Sequence, residues 1–220
     1  MPSFTILTSD GGLTVCGYVL CAAGIPALLL GAGTMSGSRR HRLSVRQLVF
    51  CGTAMALSFV TSCIKVFSLP YGGSVTLFSM LFICLTGYWY GLGTGMLTGL
   101  AYGILQFLQE PYVLSPFQVC CDYILAFAGL GLAGAFTRQT DGLRKGYLLG
   151  ITVRGAFHAL GGYLYWMDYM PENFPQSISR LYPIVYNYSF ILAEGVLTLA
   201  VVSLPPVRNA LGQIRRLAAE

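Results

Sequence analysis

The chain has 220 residues, 55% of them hydrophobic and only 10% charged, with a mean hydropathy of +0.66. About a quarter of the residues of a soluble domain are charged, so this composition excludes one and makes the chain an integral membrane protein. The net charge of +5 needs no nucleic-acid partner, because it follows from where the basic residues flank apolar spans.

Crossing a bilayer core takes roughly 20 apolar residues, and seven stretches qualify: 13–33, 46–68, 74–90, 92–108, 116–137, 146–166 and 183–204. The first has no basic residue before it and the cluster Arg39, Arg40, Arg42 and Arg46 after it. That is the reverse of a cleavable signal peptide, and a true helix is expected. The second carries two small-residue faces at a spacing of four, Gly52/Ala56 and Ala54/Ser58, on which a partner helix could pack closely. The third and fourth run together with hardly a polar break, so the Gly-rich stretch 87–95 must supply the hairpin. Gly87, Gly91, Gly95, Gly99 and Gly103 recur every four residues, a spacing that on a helix builds a bare ridge for close packing.

The fifth span carries Asp122. An ionised Asp near the bilayer centre costs at least ~3 kcal/mol, so such residues face a protein interior and mark a binding or ion site. Arg154 and His158 lie in the sixth span, Asn187 and Glu194 in the seventh. Asp122 has two readings, a structural ion pair with Arg154 or a ligand contact; Glu194 is expected to be structural, paired to Lys65. With the amino terminus outside, Arg39, Arg40, Arg42, Arg46, Arg138, Arg144, Lys145, Arg208, Arg215 and Arg216, ten of the thirteen Lys and Arg, fall on the cytoplasmic side, as the positive-inside rule requires.

The seven cysteines are odd in number and show no CxxC or Cys/His spacing, so they read as small apolar fillers and not as a metal site. Neither lysine follows GxxxxG, which excludes a phosphate-cradling ATP loop. No nucleophile, base and orienting acid gather, so no enzyme is expected and no cofactor is implied. Polar and aromatic residues instead collect in the outward loops 65–76, 106–116 and 161–188. Aromatic faces beside one carboxylate suit a desolvated organic cation.

At this point a family resemblance emerges. Leu69-Pro-Tyr-Gly-Gly-Ser-Val-Thr76, Tyr102-Gly-Ile-Leu-Gln-Phe107, Glu110-Pro-Tyr112, Pro116-Phe-Gln118, the run from Asp122 to Gly134 and Tyr186-Asn-Tyr-Ser-Phe190, in that order, resemble the thiamine-specific substrate-binding (S) component of energy-coupling factor (ECF) transporters. The resemblance covers residues 46–204. It implies an all-α membrane fold: a six-helix bundle, domain 46–206, preceded by an extra helix and basic loop at 1–45 and followed by a cytoplasmic tail at 207–220. It also implies capture of extracellular thiamine, with uptake driven by a transmembrane coupling protein and two cytoplasmic ATPases. Carried over by motif, Tyr112, Asp122, Tyr123, Arg154, His158, Gly162, Trp166, Tyr182 and Asn187 would line the thiamine pocket, and Gly52, Ala54, Ala56 and Ser58 would meet the coupling protein. The chain departs from the family pattern at Asp122, commonly Glu, at Arg154, where Lys is expected, and at a second pocket Trp, for which Phe174 is the nearest candidate.

Thiamine carries a permanently charged thiazolium and an aminopyrimidine, so aromatic rings could sandwich it while Asp122, His158 and Asn187 supply polar contacts. A desolvated cation–π contact is worth about 2 kcal/mol, whereas nanomolar binding needs about −12 kcal/mol. Closure of the 69–76 loop over the ligand is expected to help supply the difference. The same type of subunit for another heteroaromatic vitamin, and a stand-alone secondary transporter or intramembrane enzyme, are the alternatives.

Overall fold

The structure, a computed structural model, describes residues 43–219; the expected span at 13–33 and Arg39, Arg40 and Arg42 lie outside the described residues. Helix α1, Val45–Ser62, opens on a capping box in which Gln47 N–H donates to Ser44 Oγ (3.2 Å) and Ser44 N–H donates back to Gln47 Oε1 (3.0 Å), satisfying two orphan donors at once. The helix stops six residues short of the expected end. There the chain enters an antiparallel hairpin, β1 Lys65–Ser68 against β2 Ser74–Thr76.

Helix α2, Ser79–Tyr90, has 12 residues, about 18 Å at 1.5 Å per residue, too short to cross a bilayer alone. Strand β2 precedes it within the expected span 74–90, and its Ser74 and Thr76 line a cavity, the setting in which non-helical backbone is tolerated at membrane depth. Then come α3, Leu92–Gln109, α4, Pro116–Phe136, α5, Gly142–Tyr165, and α6, Tyr182–Ser203. These six helices correspond to the six-span bundle expected for 46–204. By length and composition alone, Val45–Ser62, Pro116–Phe136 and Gln176–Ser203 qualify as spans; α5 carries Arg144, Lys145, Arg154 and His158 and depends on its neighbours. The stretch expected as a tail from 207 instead lies in a seventh helix, α7, Pro205–Ala219.

The glycine ladder is split between two helices. Gly91, at φ +91, is the turn that ends α2, as the Gly-rich stretch predicts, so Gly87 lies on α2 while Gly95, Gly99 and Gly103 form the ridge on α3. A Cβ at Gly95, Gly99 or Gly103 would collide with the carbonyl oxygens of Gly131, Phe127 and Tyr123 respectively: α3 and α4 touch backbone to backbone, as small-residue faces allow. Gly103→Ala is therefore expected to cost roughly 3 kcal/mol through forced separation of the helices. Gly93→Ala, where nothing lies within 4 Å of the added carbon, should be neutral or stabilising in the same thermal unfolding measurement in detergent. Equal behaviour of the two variants would remove the packing explanation.

The two faces of α1 part company. Gly52 and Ala56 are exposed, but Ala54 is buried and Ser58 fully so, with Ser58 Oγ donating to Ser79 O (2.6 Å) and its own carbonyl accepting from Tyr102 OH (3.1 Å). Ala54 and Ser58 thus hold α1 to α2 and α3, which corrects their expected place on a partner surface. Below them the core gathers Met80, Ile83, Cys84, Leu130, Tyr147 and Ile151, all essentially inaccessible.

Candidate functional site

At the end of the bundle where the hairpin sits, α3 through α6 splay around a cavity of about 560 Å³, inside the roughly 300–1,000 Å³ range of small-molecule sites. All nine residues expected at a pocket line it: Tyr112, Asp122, Tyr123, Arg154, His158, Gly162, Trp166, Tyr182 and Asn187.

Asp122 sits in a π-helical turn, Cys120–Leu125, inside α4, a local widening frequent at functional sites. Its carboxylate is held on both oxygens. Gln118 Nε2 donates to Oδ2 (2.8 Å) and His158 Nδ1 lies 3.2 Å from Oδ1. Arg154 Nε donates to His158 Nε2 (3.3 Å). A guanidinium has only donors, so Nε2 must accept and the imidazole proton resides on Nδ1, pointing at Asp122. Arg154 therefore meets Asp122 through His158 and makes no direct ion pair with it. Its guanidinium also stacks 4.4 Å over the Phe127 ring.

Glycines set how closely α5 approaches this group. A Cβ at Gly161 would lie 2.8 Å from Asp122 Oδ1, and one at Gly162 3.1 Å from Asn187 Nδ2. Asn187 Nδ2 donates to Pro183 O (2.8 Å) and His158 O (3.3 Å), which leaves Oδ1 as the amide's group for a ligand. Gln118, buried to 1% exposure and part of the Pro116-Phe-Gln118 motif, and Gly161 are not among the expected site residues. Gln118 precedes Asp122 by four residues, the spacing at which helical side chains meet, and that was the available signal.

The aromatic wall is built from Tyr112, Trp166 and Tyr169. Tyr112 and Trp166 have centroids 4.9 Å apart and tilted by 33°, and Trp166 and Tyr169 lie 5.1 Å apart. A ring held between two others needs about 7 Å, twice a stacking distance of about 3.5 Å. Tyr112 and Trp166 thus pack on one another here, and a sandwich requires them to part by about 2 Å. A side-chain hydrogen bond with Tyr169, then burial, raises the Tyr112 pKa above that of a free phenol. The wall offers neutral π faces and no charge. Phe174 packs edge-on against Tyr182 at 5.2 Å and is not among the cavity-lining residues, so it does not stand in for a second pocket Trp.

Gly72, Gly73, Ser74 and Thr76 of the 69–76 loop line the cavity. The Tyr186 hydroxyl accepts from Gly73 N–H (3.1 Å) and donates to Pro70 O, while Leu69 N–H donates to Gly73 O (2.6 Å). Beneath it, the buried Glu194 carboxylate accepts from Thr76 N (3.1 Å), Thr76 Oγ1 (2.6 Å), Ser79 Oγ (3.3 Å) and Met80 N (3.2 Å). A carboxylate at the first turn of α2 also suits the helix dipole. Lys65 pairs instead with Glu110 at 2.7 Å, correcting the expected Lys65–Glu194 pair. The partners of Glu194 are thus the hairpin and α2, and the residue also lines the cavity. Among the described residues no group of His, Cys, Asp and Glu could hold a metal ion.

The family model described as thiamine transporter protein (Thia_YuaJ) matches residues 48–211. The thiamine transporter ThiT of Bacillus subtilis (strain 168) is 27% identical over 184 residues, 77% of this chain and 93% of the relative. ThiT of Lacticaseibacillus paracasei is 25% identical over 173 residues, 70% of this chain and 81% of the relative. A solved structure of ThiT from Listeria monocytogenes has the same fold, with a TM-score of 0.56 at 23% identity over 74% of this chain and 93% of that one.

Proposed function

The chain belongs to the thiamine transporter family, and from that premise we propose that it captures thiamine from outside the cell as the substrate-binding subunit of an ECF-type transporter. The observation that carries the reading is the meeting of one doubly held carboxylate, Asp122, with the Tyr112, Trp166 and Tyr169 rings in a single cavity. The aminopyrimidine donates to Asp122 and Asn187 Oδ1. The thiazolium enters between Tyr112 and Trp166, whose π faces attract a cation by about 2 kcal/mol or more once desolvated. Arg154 acts at one remove, by fixing the His158 tautomer, and Tyr186 holds the 69–76 loop through Gly73 and Pro70.

Uptake against a gradient needs an energy source. The sequence has no nucleotide loop, so pumping belongs to other polypeptides, a transmembrane coupling protein and two ATPases, and this chain binds without transporting. The charge distribution supports an outward cavity: Arg46, Arg138, Lys145 and Arg208 lie at the opposite end of the bundle, the cytoplasmic end by the positive-inside rule.

Trp166 tests the site. The other tryptophan, Trp89, packs edge-on to Phe50 at 6.1 Å and does not line the cavity, so thiamine should quench the fluorescence and Trp166→Phe should remove most of that signal. In right-side-out vesicles added thiamine should bind; in inside-out vesicles it should not, because the charged thiazolium does not cross hydrocarbon readily. No quenching and no heat with thiamine, against a clear response to another heteroaromatic vitamin, would reject the ligand and keep the subunit class. Binding confined to inside-out vesicles would reverse the orientation.

A further inference from the structure

Helix α7 has more apolar surface than the bundle covers. Val207 and Leu211 are half-buried and Ala218 is buried, and Arg215 ties the helix down by donating from Nη1 to Tyr88 OH (2.7 Å) and from Nη2 to Thr137 O (2.8 Å), with its guanidinium 4.6 Å over the Tyr88 ring. Next to that docked stripe runs a second one, Ala210, Ile214 and Leu217, spaced i, i+4, i+7 so that it shares one side of the helix. These residues are exposed, Leu217 at 56%. The far side carries Arg208, Asn209, Gln213 and Arg216, also exposed. A helix with one apolar stripe docked, a second bare and a basic third side fits the boundary between hydrocarbon and water.

Its position agrees. Only Leu204 separates α7 from α6, and Arg215 anchors it to Tyr88, which with Trp89 and Tyr90 ends α2; Trp and Tyr mark the interface level of a membrane protein. Charge names the occupant. Besides Arg208 and Arg216, this end exposes Arg46, Arg138 and Lys145, and among the described residues its one acid, Asp141, is paired with Arg144 at 3.7 Å.

We propose that α7 is an interfacial anchor for anionic lipid, with Ala210, Ile214 and Leu217 in the acyl boundary and Arg208 and Arg216 on headgroup phosphates. Arg215, committed to Tyr88 and Thr137, sets the helix at its depth and does not contact lipid. The site is independent of the cavity, which opens at the other end of the bundle.

Hydrogen exchange of residues 205–219 tests this on the purified full chain in nanodiscs of phosphatidylcholine alone or mixed with phosphatidylglycerol. Exchange should be at least tenfold slower with phosphatidylglycerol. Each arginine at an anionic surface contributes about fivefold, so Arg208→Gln with Arg216→Gln should abolish most of that slowing. Ile214→Ser with Leu217→Ser should speed exchange in both lipids, and thiamine affinity of every variant should stay at the wild-type value, which verifies folding. Equal protection in the two lipids would overturn the anionic-lipid assignment. Protection that appears only after a coupling protein and ATPases are added would overturn it in favour of a protein-docking face.

Discussion

Asp122→Ala should lower thiamine affinity by a hundredfold or more while the empty protein remains folded. Two losses combine. The ligand forfeits an acceptor and the countercharge to its thiazolium, and His158 Nδ1–H and the Gln118 amide, 3.2 and 2.8 Å from the carboxylate oxygens, lose their shared partner. A charged hydrogen bond contributes about 1.5–3 kcal/mol and an orphaned buried donor costs about 1–3 kcal/mol; in the empty cavity water can serve the orphaned donors, but beneath a bound ligand it is excluded. About 3 kcal/mol of lost binding follows, a little over two decades in affinity. Asp122→Asn keeps shape and one acceptor oxygen, so its loss should be smaller, at least tenfold. Titration calorimetry reads both. Wild-type affinity in Asp122→Ala would mean that the carboxylate merely fixes α4 to α5 and that the cation is held by the aromatic wall alone.

The helices were legible because hydrocarbon imposes one rule on every span, about 20 apolar residues with paired backbone. Where that rule loosens, the residues specify less of the structure. Residues 65–68 read as the outer end of a span or a polar loop, yet β1 pairs with β2 there, and four exposed residues carry no alternating period that would announce a strand. The hairpin also turns Lys65 toward Glu110 and leaves Glu194 to Thr76, Ser79 and Met80, so the ion pair expected from charge alone formed between other partners. Helix α7 reads as a tail because a stripe broken by Arg208, Arg215 and Arg216 lowers mean hydropathy while leaving amphipathicity high. The cavity residues were legible by resemblance and by the isolation of Asp122 in an apolar run. Its supporting Gln118 and Gly161 were not, because a buried amide and a bare Cα advertise themselves only through the neighbours they touch.

Ala56→Trp should abolish ATP-dependent thiamine uptake while leaving thiamine binding within about threefold, the ±0.5 kcal/mol expected of an exposed substitution. The bare side of α1 decides the outcome. Ala54 and Ser58 are packed inside, so a bulky residue at Ala54 would overpack the core and report only on folding. Gly52 has nothing within 4 Å of an added Cβ, and Ala56 lies exposed one turn further on, between Val49 and Val60, about 60% exposed each. Lipid tails are as apolar as these side chains, so association in a bilayer comes from close backbone approach over small residues and is sensitive to bulk. An indole at position 56 would hold a partner helix away by the width of a ring. It does so some distance from Asp122, Trp166 and Asn187, none of which lies on α1. Proteoliposomes containing the coupling protein and both ATPases read uptake by accumulated thiamine, and titration calorimetry on the purified variant reads binding. Normal uptake by Ala56→Trp would move the docking face off α1, and accumulation of thiamine against its gradient by the isolated wild-type chain would overturn the subunit reading itself.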